Sequence, residues 1–136
     1  LALPLTYMNL SGNAVKALLK KYKAGVGDLL VVCDDVDLRL GTLRIRPSGS
    51  SGGHRGLSSV IGALGSQEFS RLRIGIGRSQ VKGIDTAGYV LSAFTKKEKN
   101  RIKEILEKAY ECCRIWAVKG ATVSMNIFNR KVNINE

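Results

Sequence analysis

The chain has 136 residues, 44% of them hydrophobic, with 22 Lys and Arg against 11 Asp and Glu and a net charge of +11. That length and apolar content suit one domain with its own core and exclude a disordered chain. No apolar run is long enough to cross a bilayer, and no basic-then-apolar segment opens the sequence.

The opening Leu1-Ala2-Leu3-Pro4-Leu5 lacks an initiator Met and is already apolar. It resembles a domain entered in mid-strand, so we expect a further N-terminal piece, with the fold incomplete at that end. Ser11 is expected to cap a helix over 12–23, with Ala14, Val15, Leu18, Leu19 and Tyr22 as its buried face. Gly25 and Gly27 end it. Leu29-Leu30-Val31-Val32-Cys33 is a continuous apolar run, as expected of a strand buried on both faces and stopping at Asp34-Asp35. A second strand over 42–46 alternates Leu43 and Ile45 with Arg44 and Arg46. A Gly/Ser loop follows, then a helix over 57–64 and a strand over 72–77. Residues 78–88 are expected to form a loop. Thr95, with Glu98 three residues on, is a capping box for a long helix. Its apolar stripe is Ile102, Ile105, Leu106, Ala109, Cys112, Cys113 and Trp116, and Gly120 stops it. A short helix is expected over 121–129, then a frayed tail. Strands alternating with helices predict an α/β layer architecture and a single domain over 1–136.

The charge excess on so small a domain points to an anionic partner, nucleic acid or an acidic surface. Aromatic residues are 6% of the chain and do not interleave with the basic ones, which disfavours a stacking single-strand binder. Cys33, Cys112 and Cys113 are odd in number and two are adjacent, so they suit a reduced cytosolic protein and not a disulfide framework or a zinc pair.

The only histidine, His54, ends the loop Ser48-Gly49-Ser50-Ser51-Gly52-Gly53 and precedes Arg55. Glycines admit close backbone approach, and an imidazole can carry a proton or bind a polar substrate. A solvated turn is the alternative. Asp34, Asp35 and Asp37 follow a strand, where α/β sheets place ligands, and could orient a histidine or hold a metal; Asp also favours turns. We expect one of the three to be functional and the others structural. Asn9 stands before the first helix, where its amide could donate to an oxyanion or serve as a cap. Arg44, Arg46, Arg71, Arg73 and Arg78 lie on or beside predicted strands and as a group suit a phosphate-gripping surface. The Lys and Glu residues over 96–111 fit a solvated helix face.

Four motifs occur in order: Thr-Tyr-Met-Asn-Leu-Ser-Gly at 6–12, Asp34-Asp35-Val36-Asp37-Leu38 with Gly41, Gly52-Gly53-His54-Arg55-Gly56-Leu57, and Phe69-Ser70-Arg71-Leu72-Arg73-Ile74-Gly75-Ile76-Gly77. Together, and with Tyr89-Val90-Leu91-Ser92, they resemble the bacterial-type peptidyl-tRNA hydrolase family over nearly the whole chain. The resemblance implies a three-layer α/β/α sandwich around a twisted mixed sheet and an enzyme that needs no metal; we expect no cofactor, a cytoplasmic location from the cysteine usage and, with no heptad seam, a monomer. It implies hydrolysis of the ester joining a peptide to the terminal ribose of tRNA, with peptidyl-tRNA as partner and no membrane. By the same matching, Asn9 resembles the substrate-holding, oxyanion-stabilising Asn and Met8 its neighbour in the site wall. Asp34 resembles the acid that orients the catalytic histidine, and His54 a second, supporting histidine. Arg44 and Arg73 match positions that grip the tRNA 5′-phosphate. Tyr7, Gly52, Gly53 and Arg55 join the substrate- and tRNA-binding set.

Two departures stand out. The family's catalytic His and another cleft Asn belong to Gly-Asn-Pro-Gly and Thr-Arg-His-Asn motifs that this sequence does not contain, so we expect the chain by itself to be inactive. Arg55 also stands where the family usually has Asn. Two other readings compete: a non-catalytic RNA-binding relative of the splicing-factor kind, and a metal-dependent phosphodiesterase using Asp34, Asp35 and Asp37.

Overall fold

The computed structural model describes residues 1–77 and 96–129. The elements in chain order are a 3-10 turn at Met8–Leu10, α1 (Ser11–Lys21), a 3-10 turn at Val26–Asp28, β1 (Leu30–Asp35), β2 (Leu43–Arg46), α2 (Arg55–Leu64), β3 (Ser70–Gly75), α3 (Lys96–Lys119) and α4 (Ala121–Phe128). The three strands form one sheet in the order β1-β3-β2. The expected α/β class holds. Arg78, Tyr89-Val90-Leu91-Ser92, the 78–88 loop, the Thr95–Glu98 capping box and the tail lie outside the described residues. The described residues divide into two compact units, 1–33 with 46–71 and 34–45 with 72–77 and 96–129.

The first unit is built on α1 against α2. Val15, Leu57, Val60 and Phe69 form its buried core, with Leu19, Val26, Leu29, Val31, Cys33, Ile61 and Leu64 packed around them. The two helices meet closely at Gly12. Its N–H donates to Ser59 Oγ at 2.9 Å, and a Cβ built on Gly12 would fall on the Ser59 carbonyl. Three expectations need correcting here. Ser11 lies inside α1 instead of capping it; its hydroxyl donates to Met8 O at 2.8 Å, bracing the turn that precedes the helix. Tyr22 is 69% exposed, because α1 ends at Lys21 and leaves the helical period before reaching it. β1 is not covered on both sides: strand side chains alternate, so Val31 and Cys33 pack on the core while Val32 is 46% exposed.

In the second unit, Ile76 N–H reaches Asp35 O at 3.0 Å at the carboxyl ends of β1 and β3, which therefore run parallel. β2 pairs antiparallel with β3. Gly41 N–H donates to Gly75 O at 3.0 Å, and Gly75 N–H to Thr42 O at 2.7 Å, so two residues face one and the ladder bulges. Gly41 has φ +88°, which a glycine adopts without strain, and Thr42 N–H closes the turn on Arg39 O at 2.9 Å. Asp34 and Asp35 are part of β1, which runs past the apolar stretch because this pairing continues through Asp35. Leu43 and Ile45 are buried as the alternation predicts. Asn129 acts as a short strand against β2: its Oδ1 accepts from Ile45 N–H at 2.8 Å, and its Nδ2 donates to Ile45 O at 2.8 Å.

α3 buries Ile105, Ala109 and Cys112, whereas Leu106 is 55% exposed because it falls to one side of that narrow stripe. Gly120, at φ +85°, ends the helix, and its carbonyl accepts the hydroxyl of the buried Ser124 at 2.9 Å. Burial, with a smaller contribution from the neighbouring Cys113, pushes the Cys112 thiol up to about 11.

Two outcomes are expected. Gly12→Ala should destabilise the protein by about 1–3 kcal/mol in urea unfolding, because the added methyl forces the α1–α2 backbones apart. The unfolded chain ionises Cys112 at its ordinary 9.0, below the folded value of about 11. Stability from this group is therefore complete below pH 9.0 and lost as pH rises toward about 11. Urea melts of Cys112→Ala should show a flatter alkaline limb than those of the unsubstituted chain.

Candidate functional site

A backbone device at the start of α2 builds the candidate site. The loop before it turns through Gly49, Gly52 and Gly53, all at positive φ. Ser51 O then accepts His54 N–H at 3.1 Å. His54 has extended backbone and is the N-cap of α2, its Nδ1 accepting the Leu57 N–H at 3.2 Å. His54 O accepts from Ser58 N–H at 2.9 Å, closing the first turn. The lone histidine is thus a capping residue, a role usually filled by Ser, Thr, Asp or Asn.

The cap settles the chemistry of the ring. An imidazole nitrogen that accepts a hydrogen bond carries no proton. With Nδ1 accepting, the neutral tautomer this geometry favours has its proton on Nε2.

Gly56 brings a second segment to this ring. A Cβ built there would lie 2.7 Å from Met8 Sδ and 3.0 Å from His54 Cε1. A side chain at this position would force Met8 or the imidazole to shift, and the glycine lets both lie over the same backbone atom. The 3-10 turn that carries Met8 also carries Asn9, and it closes with Leu10 N–H on Tyr7 O at 2.8 Å. Tyr7, Met8 and Asn9 are exposed, as are Gly52, Gly53 and Arg55, while His54 is half-buried. Seven of the expected site residues therefore belong to the first unit, and Met8 and His54 meet there across a long stretch of sequence.

Asp34, Arg44 and Arg73 belong to the second unit. Asp34 is half-buried at the end of β1. Its neighbour Asp35 has structural work: Oδ1 accepts Asp37 N–H at 2.9 Å, and Oδ2 lies 3.5 Å from Arg73 Nη1. Asp37 is exposed. Among the described residues no group of three His, Cys, Asp or Glu side chains is placed to hold a metal ion. Arg73 is only 20% exposed in its side chain and shares its charge with Asp35. Arg44 Nη1 donates to Asn129 O at 3.2 Å. Arg46 is exposed on β2.

Arg71 departs furthest from expectation. It is 1% exposed, so it forms no part of a surface that grips phosphate. Its guanidinium is spent on backbone carbonyls, including Gly49 O at 2.6 Å. Sequence reasoning also missed Gly56, Ser59 and Asn129. Of these, only Gly56 had a signal, as a glycine one residue into a helix.

The match to the Peptidyl-tRNA hydrolase family model runs over residues 1–136. The chain belongs to the peptidyl-tRNA hydrolase family. It is 47% identical over 127 residues to the peptidyl-tRNA hydrolase of Desulfitobacterium hafniense (strain Y51), covering 93% of this chain and 68% of that protein. With the peptidyl-tRNA hydrolase of Bacillus subtilis (strain 168) it shares 46% over 129 residues, covering 95% and 68%. The crystal structure of peptidyl-tRNA hydrolase from Acinetobacter baumannii superposes with a TM-score of 0.80 at 30% identity, covering 93% of this chain and 63% of that one. The chain thus spans about two thirds of the length of these relatives. No helix among the described residues is long and apolar enough to cross a membrane.

His54→Ala should lower stability by about 0.5–2 kcal/mol through loss of the cap, whereas His54→Asn, whose amide oxygen can accept the Leu57 N–H, should retain most of it. Paired urea melts of the two variants check this.

Proposed function

We propose that this chain, acting as one domain over 1–136, serves in hydrolysis of the ester between peptide and tRNA in peptidyl-tRNA, returning tRNA to translation. The observation that carries the reading is the convergence of Met8 and His54 over Gly56, on two of the motifs that resemble the family. We take it to act in the cytoplasm, as a monomer without metal or cofactor.

Ester hydrolysis needs a water activated by a base and a donor for the oxyanion. Asn9, exposed beside Met8, supplies an amide donor for the oxyanion. His54, protonated on Nε2 when neutral, supplies a second donor to the substrate. Tyr7 and Met8 wall the peptide or terminal-ribose end, and Gly52 and Gly53 let backbone approach it. Arg55, exposed on the first turn of α2, adds a cation beside the site. The base is a histidine held by Asp34, as the resemblance implies. The single histidine of this sequence is committed to capping α2 through Nδ1. Arg44 and Arg73 meet tRNA phosphate. Arg73 would do so from beside Asp35, whose Oδ2 lies 3.5 Å from its Nη1. Recognition would run through shape and phosphates more than base edges.

The test is hydrolysis of an N-acetylated aminoacyl-tRNA by this chain, with tRNA binding followed in the same samples. Binding that weakens with salt, without cleavage, is expected. Arg73→Ala should weaken binding and lower the salt slope by about 0.7–0.9. In a protein of this sequence that also carries the base, Asp34→Asn should cut turnover by about 10²–10⁴-fold and leave tRNA affinity intact. Cleavage by this chain that disappears in His54→Ala would make His54 the base and overturn its assignment as a donor.

A further inference from the structure

The Gly/Ser loop that leads to His54 poses a problem of order. Gly49, Gly52 and Gly53 all have positive φ, and a Cβ at Gly49 or Gly53 would meet nothing within 4 Å. Such a loop loses much backbone entropy when fixed and gains little packing in return. Its last residue is nevertheless a half-buried imidazole with a defined cap geometry.

The compensating contacts come from β3. Arg71 Nη1 donates to Gly49 O at 2.6 Å and Ser50 O at 3.3 Å. Nη2 donates to Gln67 O at 2.7 Å and Phe69 O at 2.9 Å, and Nε to Phe69 O at 3.3 Å. The guanidinium carbon lies 4.3 Å from the centre of the Phe69 ring. One edge of the fork therefore holds the loop and the other holds the chain entering β3. Phe69 belongs to the core of the unit, so the fork rests on a rigid base. Burying a charge is tolerated only when its donors are satisfied, and carbonyl oxygens satisfy these.

We infer that Arg71 is a positioning residue for the His54 site. Its guanidinium clasps the Gly49 and Ser50 carbonyls and so fixes the loop from which His54 is presented. From the clasp the path is short. Ser51 follows, its Oγ accepting Gly53 N–H at 3.4 Å and its carbonyl accepting His54 N–H at 3.1 Å. The next bond is the cap from Leu57 N–H to His54 Nδ1. A lysine cannot replace the clasp. It concentrates its donors on one nitrogen and reaches either the loop or the strand, whereas the planar fork reaches both. The functional meaning rests on the reading of His54 as a substrate donor, but the clasp can be tested without it.

The test uses Arg71→Lys in this chain and reads amide hydrogen exchange with the ¹⁵N signals of the His54 ring. Exchange at Leu57 N–H should quicken at least about tenfold, while that at Gly12 N–H, held by Ser59 in the same unit, should stay within about twofold. The ring should lose the signature of a single Nε2–H tautomer. A merely structural arginine would move both amides together and leave the tautomer alone, and that result overturns the inference. Should Arg71→Lys not fold, the unsubstituted chain decides: Arg71 Nη protons that exchange slowly and show proximity to Gly49 support the clasp, and protons that exchange as fast as those of exposed arginines overturn it. A chain that shows the clasp yet neither binds nor cleaves peptidyl-tRNA would refute the proposed function and leave the positioning role standing.

Discussion

The approach of α1 to α2 governs the first unit. Gly12 has no side chain, so its backbone can donate to Ser59 Oγ and sit against the Ser59 carbonyl. Everything just before Gly12 is carried along with it. Ser11 ties its hydroxyl to Met8 O, and Met8 then lies against Gly56 beside the imidazole. Two glycines, one in each helix, thereby bring the Met8-Asn9 turn to the N-terminus of α2. The hydrophobic core under this contact, with Val15, Leu57, Val60 and Phe69, holds the helices at that distance.

The same logic of absent side chains shapes the second unit. Gly75 faces the Arg39 carbonyl so closely that no Cβ fits, and Gly41 takes the positive φ that lets the bulge form. Asp35 is held by Asp37 N–H and Arg73, and the proposed chemistry draws on its neighbour Asp34.

Charge tells a divided story. A net charge of +11 suits a polyanion partner, yet the arginines contribute unequally. Arg71 is consumed inside the fold, Arg44 is tied to Asn129 O, Arg73 is shared with Asp35, and Arg46 and Arg55 are exposed. A count of basic residues therefore overstates what a phosphate meets. A guanidinium with several donors can be buried in place of a core side chain when carbonyls surround it.

Local pattern and ordered motifs determined much of this protein in advance. The strands around Leu30, Leu43 and Leu72, the helices, the family and the candidate residues Asn9, Asp34 and His54 all follow from periodicity, turn residues and motif order, which are properties of neighbours in sequence. Other features needed the folded chain. Leu106 keeps the helical period but faces solvent, because burial depends on what packs opposite and not on spacing, and Tyr22 lies just past the end of its helix. Arg71 and Arg73 share a strand and a period-two register, yet one is entombed and the other pairs with Asp35. The role of His54 as a cap, and with it the nitrogen that bears the proton, depended on a backbone N–H three residues on being turned toward the ring. Such contacts are decided by tertiary packing, because each joins groups whose distance is set by the fold and not by their separation along the chain.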